Sequence, residues 1–419
     1  MKKDSAFMTR RQFLRTGVIG GALASSLPSF LDQTLFRLEA AERNSPLQRL
    51  HGKDAPILIL MQLAGGNDGL NTVIPLENDF YHQARPKLGS VVSNAHTLNG
   101  ELGLHQSLTG LKALYDDGYL SVFNGIGYPN PNRSHFRSTE IWHTASPEGR
   151  KGGDGWVGRY FDNQCQGMPA EVGISLTRTP PQVFQGPSPG GITFQNPKQF
   201  SFDKDDEPLS GASVGMATGR PRQRKDSPLH FLERTDLDAR VSSEHLHATL
   251  KKTPPIQGFP NSQIANDLSL VARMIGGGMS TRIYYVSQGG FDTHANQLYS
   301  HSRLLKDLGD AQKAFWDEMK RQGNTERVQM LVFSEFGRRV NENGSGGTDH
   351  GAGAPAFVLG GKQKGGVIGK LPSLNPKDLH RGDVQHHTDF RRLYATVIDD
   401  HLQADSEALL GKNWSAVKI

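Results

Sequence analysis

The sequence predicts an α/β protein with a mostly parallel central sheet and helices on both faces. Two observations carry this expectation. Short apolar runs alternate with helix-period segments, and acidic and imidazole side chains gather just past the ends of those runs. Runs at 56–63, 120–126, 281–287, 328–334 and 356–360 have the length and continuous apolarity of strands buried on both faces. Between them Ile264, Leu268, Val271 and Ile275 repeat at helical spacing. So do Leu304, Leu308, Ala311, Phe315 and Met319, and later Phe390, Leu393, Val397 and Ile398. Strands alternating with helices favour a parallel sheet covered on both sides.

The start of the chain stands apart. Thr9-Arg10-Arg11-Gln12-Phe13-Leu14 precedes a weakly apolar stretch from Gly17 to Leu27 and small residues near Ala40-Ala41. That pattern has the form of a secretory signal over residues 1–41, and the paired arginines resemble a twin-arginine address. Seven Lys/Arg against four Asp/Glu in residues 1–45 account for +3 of the formal +5 charge. With no dense basic run elsewhere, the composition argues against nucleic-acid binding. No later apolar stretch approaches the ~18 residues of a membrane span. The single cysteine, Cys165, excludes an intramolecular disulfide and reads as a buried structural thiol. The mature protein is expected outside the cytoplasm, periplasmic or secreted. Residues 50–415 are expected to form a single domain with a long loop or insertion at 178–227, where Pro, Gly and charge erase any periodicity.

Chemistry-bearing residues cluster at strand ends. The first run leads into Gly65-Gly66-Asn67-Asp68, the third into Phe291-Asp292-Thr293-His294, and the fourth into Ser334-Glu335-Phe336-Gly337-Arg338. A further segment, Thr348-Asp349-His350-Gly351, precedes the fifth run. Parallel strands deliver their carboxyl ends to one edge, where ligands bind. Asp68, Asp292, His294, Glu335, Asp349 and His350 therefore form a candidate metal set. Carboxylates and imidazoles without thiolates suit one or two divalent ions, Zn²⁺ first and Mn²⁺, Mg²⁺ or Ca²⁺ next. Each segment also has a plainer use: Asp68 and Asp292 can cap helices, Glu335 can pair with Arg338, and 348–351 can be a surface turn. After the run at 120–126 comes Arg133-Ser134-His135-Phe136. Ser134 is the candidate nucleophile at a helix start, or merely its cap. Arg133 or Arg137 can hold anionic oxygens, and His135 is a candidate general acid or base.

These motifs in this order resemble an exported, sulfatase-like bacterial family, domain of unknown function 1501, which is placed by similarity in the alkaline phosphatase superfamily. The resemblance implies an alkaline-phosphatase-like fold and metal-dependent hydrolysis of a small phosphate or sulfate ester, after export by the twin-arginine machinery. It implies Asp68, Asp292, His294, Glu335 and His350 as ligands and Ser134 as nucleophile. The sequence departs from the superfamily at Phe336, where a metal-binding histidine is usual, and the spacing of Asp292 and His294 is tighter. That departure motivates an alternative: a non-catalytic exported binding or assembly protein that keeps the fold.

Overall fold

The computed structural model describes residues 55–147, 150–187, 190–202, 228–361 and 365–417. The leader expected at 1–41 lies outside the described residues, as does 203–227 of the expected long loop. Fourteen strands are described: β1 (Ile57–Leu63), β2 (Val73–Pro75), β3 (His96–Thr97), β4 (Leu102–Leu104), β5 (Leu120–Gly127), β6 (Gly173–Ser175) and β7 (Ile192–Thr193) come first. After them come β8 (Ile283–Gln288), β9 (Val328–Phe333), β10 (Arg338–Glu342), β11 (Thr348–His350), β12 (Ala354–Gly360), β13 (Gly366–Ile368) and β14 (Thr388–Asp389). The helices are α1 (Asp79–Ala84), α2 (Thr109–Asp116), α3 (His135–Thr144), α4 (Trp156–Gln164), α5 (Pro228–Lys252), α6 (Gln263–Gly276), α7 (Gln297–Gln322), α8 (Phe390–Thr396) and α9 (Ser406–Leu410).

The main sheet has nine strands in the order β13-β5-β12-β9-β1-β8-β6-β7, with β14 also paired to β5. β1 lies parallel to β8 and β9 on either side, and β6 and β7 continue in parallel. Among the described strands of that sheet, only β12 runs antiparallel to its neighbours. The side chains of β1 show why a continuous apolar run is needed. Ile57, Ile59, Met61 and Leu63 enter the core beneath α2, α6 and α7, while Leu58 and Leu60 enter the one beneath α3, α4 and α8. Both faces are thus covered, as expected. Part of the stretch expected as a loop is structured instead: Ile192 and Thr193 extend the sheet edge as β7. Two residues are too few for periodicity to reveal.

Cys165 is buried, and burial pushes its thiol up to about 12. No helix among the described residues is long and apolar enough to cross a membrane.

Candidate metal centre at the carboxyl edge of the sheet

The loops after β1, β8 and β9 meet at one edge, and one guanidinium ties them together. Arg338 is buried. Its Nε donates to the carbonyl of Gly66 at 2.6 Å, and one terminal nitrogen donates to Thr348 O at 2.7 Å. The other donates to Gly65 O at 2.5 Å, Phe291 O at 3.1 Å and Asp292 Oδ1 at 2.7 Å. Glycine is required where these loops touch. Gly65 has φ +122°, and a Cβ there would stand 2.4 Å from the Asp292 nitrogen. At Gly66, φ +71°, a Cβ would meet the Phe336 ring at 2.2 Å.

Around Asp292 the imidazoles are oriented from behind. His350 Nδ1 lies 2.9 Å from the carbonyl of Arg133, which can only accept, so the neutral ring carries its proton there and keeps a lone pair on Nε2. His294 Nδ1 faces Asp349 Oδ1 at 3.3 Å in the same sense. Asp349 is held below the usual carboxylate range by the Asn343 amide and by His294. Both Nε2 atoms lie 3.0 Å from Asp292 Oδ1 and 2.9 Å from each other. His135 Nδ1 is 2.9 Å from Glu335 Oε1, and its Nε2 stands 3.5 Å from Asp292 Oδ2. Ligand atoms of His135, Asp292 and His350 all fall within 4.8 Å of one another.

Two lone pairs and a carboxylate oxygen this close repel one another unless positive charge lies among them. Arg338 supplies part of it. Burial opposes ionisation of Asp292, but the Arg338 guanidinium overrides it and holds the carboxyl down to about 2. The rest of the donor set fits a divalent cation: imidazole nitrogens, a carboxylate oxygen, and a second acceptor behind each ring.

The remaining candidate residues are placed differently. Asp68 is fully buried and paired with Arg85 at 2.7 Å, and the same oxygen accepts from Gln297. Its other oxygen accepts from Asn71 N at 3.3 Å, capping the turn Gly69–Asn71. Burial raises its pKa, yet Arg85 more than offsets this and the net shift is downward. Asp68 is not among the converging ligand atoms. Glu335 is buried and accepts from Gly65 N at 2.8 Å and from Gln62 at 3.3 Å, so it stands behind His135 rather than beside Asp292. Glu335 does not pair with Arg338, which goes to Asp292 instead. Asp292 does not cap α7 either; that place belongs to Asn296 at φ 48°.

Ser134 is the N-cap residue of α3, exposed, with no capping bond from its hydroxyl. Asn132 Oδ1 accepts its N–H at 2.9 Å. The Arg133 guanidinium is turned to Asp383, with contacts of 2.9 and 2.5 Å. Arg137 pairs with Glu140 at 2.6 Å. Phe336 is buried and lies against the rings of His135 and His350, with centroids 4.9 and 4.7 Å away.

Sequence reasoning missed Arg85, 17 positions beyond Asp68, and the role of the Arg133 main chain. Neither a lone arginine nor a carbonyl carries a sequence signal.

No curated protein matches the chain in sequence. Among solved structures it is similar to an alkaline phosphatase superfamily protein from Vibrio parahaemolyticus, at 8% identity and TM-score 0.41 over 88% of this chain and 72% of that one. It is also similar to the PsFucS1 sulfatase from Pseudoalteromonas sp., at 10% identity and TM-score 0.36, covering 89% and 75%. The zinc complex of the C-terminal periplasmic domain of EcEptC from Escherichia coli matches at 12% identity and TM-score 0.35, covering 84% and 83%. Residues 127–412, more than half of the sequence, match the family described as protein of unknown function DUF1501, and the chain belongs to that family.

Proposed function

We propose that the chain is an exported, metal-dependent hydrolase of phosphate or sulfate esters, with one cation held by Asp292, His294 and His350. The observation that carries this reading is the convergence of two imidazole Nε2 atoms on one Asp292 oxygen, each ring fixed from behind by an acceptor. Three protein ligands with an open position is the pattern of catalytic rather than structural zinc. A bound divalent ion would polarise the ester and lower the pKa of a bound water.

The protein's own groups divide the remaining work. Arg338 keeps Asp292 ionised and holds the three loops in register. The hydrogen bond of His135 to Glu335 raises its pKa, and burial of the ring opposes this less strongly. Its Nε2 faces the site, where the imidazole can serve as general acid or base toward a leaving oxygen. Ser134 starts α3, where the positive end of the helix favours an oxyanion, and its hydroxyl makes no capping bond. The paired arginines Arg10-Arg11 ahead of Phe13-Leu14 support export by the twin-arginine route to the periplasm or beyond.

Two observations favour the alternative of a non-catalytic exported binding protein: Asp68 is closed off by Arg85, and Phe336 packs against the rings of His135 and His350. The two readings separate on turnover. Zinc-loaded protein is assayed with p-nitrophenyl phosphate and p-nitrophenyl sulfate, alongside His294→Ala, His135→Gln and Ser134→Ala. Turnover lost in all three supports the hydrolase. Unchanged turnover in Ser134→Ala removes the serine from the mechanism, and bound zinc without turnover of any ester leaves the binding protein.

A further inference from the structure

Arg133 and Asp383 lie outside the converging ligands, yet they meet one of them through the main chain. The Arg133 carbonyl is the acceptor that fixes the His350 ring at 2.9 Å. Its position depends on where the Arg133 side chain is held, and that side chain is held by Asp383. Asp383 Oδ2 accepts from Arg133 Nε at 2.9 Å and from Nη2 at 2.5 Å, with only 3% of its side chain exposed. The same Nη2 donates to the carbonyl of Arg381 at 3.3 Å.

The segment that delivers Asp383 is a tight turn closed by a pair of main-chain hydrogen bonds between His380 and Asp383, at 3.1 and 3.0 Å. Its two central residues have positive φ: 55° at Arg381 and 84° at Gly382. A non-glycine residue in that region is strained and persists where its surroundings over-determine it. Here they do, because the Arg381 carbonyl is itself a partner of Arg133. The other Asp383 oxygen faces Arg339 Nε at 3.8 Å. Arg339 lies on β10, whose partner strand β11 carries His350. One buried carboxylate thus faces both the loop that leads into His135 and the hairpin that ends at His350.

We propose that Asp383 is a positioning residue for the cation site, acting through Arg133 on His350. This rests on the cation-site reading above. Removing the clamp frees the Arg133 carbonyl to shift, and His350 then loses the acceptor that fixes its proton on Nδ1. Acceptors behind a ligating imidazole of this kind affect metal affinity by about 10–100-fold.

The test uses the full chain with Asp383→Asn and, because Asp383 is buried, also Arg133→Met, whose side chain is 32% exposed. Zinc affinity is read by chelator competition, and ligand geometry by the visible absorption of the cobalt-loaded protein. Each variant is expected to bind zinc about 10–100-fold more weakly with a shifted cobalt band, and the double variant to lose no more than either alone. Parent affinity and an unshifted band in both variants overturn the proposal, as does a loss in Arg133→Met that Asp383→Asn does not share. A parent protein that binds no zinc instead overturns the cation site, and the clamp with it.

Discussion

β1 and β8 are neighbouring parallel strands, and the loop after each delivers an aspartate to the same edge, yet the two side chains meet opposite fates. Asp68 is fully buried, with its charge matched by Arg85 and its oxygens filled by Gln297 and Asn71. Asp292 is half exposed, with two imidazole nitrogens on one oxygen and a third ring facing the other. The first arrangement is complete with protein groups alone. The second brings two imidazole nitrogens and a carboxylate oxygen together at the surface, a donor set that fits a divalent cation. The difference teaches that a carboxylate at a strand end is a ligand candidate only when its oxygens have not already been satisfied.

Breaking the closed side should cost the most stability. Arg85→Ala leaves Asp68 as an unpaired buried charge, and about 3–5 kcal/mol of unfolding free energy should be lost in denaturant titration. Breaking the open side should cost binding instead. Asp292→Asn should lower zinc affinity about 100-fold by chelator competition, with a smaller stability loss than Arg85→Ala because its side chain is 48% exposed and the amide oxygen can still accept from Arg338.

A third carboxylate sharpens the contrast. Asp267 on α6 is buried, and among the described residues its side chain is paired with the Gln263 amide, at 2.8 Å. Burial raises its pKa to about 6, and Gln263 offsets only part of that. Because the fold favours the neutral acid, the contribution to stability is present below the unfolded value near 3.8 and is lost as pH rises through about 6. Asp267→Asn should therefore stabilise the protein at pH 8, on the order of 1–3 kcal/mol, and the gain should vanish near pH 4. Equal gain at both pH values would contradict the assignment. The smallest effect is expected at Phe136, which is 92% exposed beside His135. Phe136→Ala should change stability by less than about 0.5 kcal/mol, so any change in ester KM reports contact with substrate.

Much of the scaffold was legible because burial on both faces leaves a continuous apolar run. The expected strand at 328–334 is β9 within one residue, and the spacing of Ile264, Leu268, Val271 and Ile275 falls inside α6. The candidate site was legible only as a set of loops that converge, since the side chains of Asp292, His294 and His350 lie together. Its internal division was not. Whether Asp68 is a ligand or half of an ion pair depends on Arg85, and whether Arg133 binds an anion depends on Asp383, 250 positions away. Such pairings are set by tertiary packing, which local periodicity does not encode. The hairpin of β10 and β11 was hidden for a related reason: its strands are short and polar, and what brings His350 to Asp292 is pairing with Arg338.

The most direct measurement is zinc content per chain in the parent, Asp292→Asn and Asp68→Asn proteins, purified without chelator or affinity tag. The account predicts about one equivalent in the parent, kept in Asp68→Asn and lost in Asp292→Asn. About two equivalents in the parent, or zinc lost with Asp68 and kept without Asp292, would contradict it.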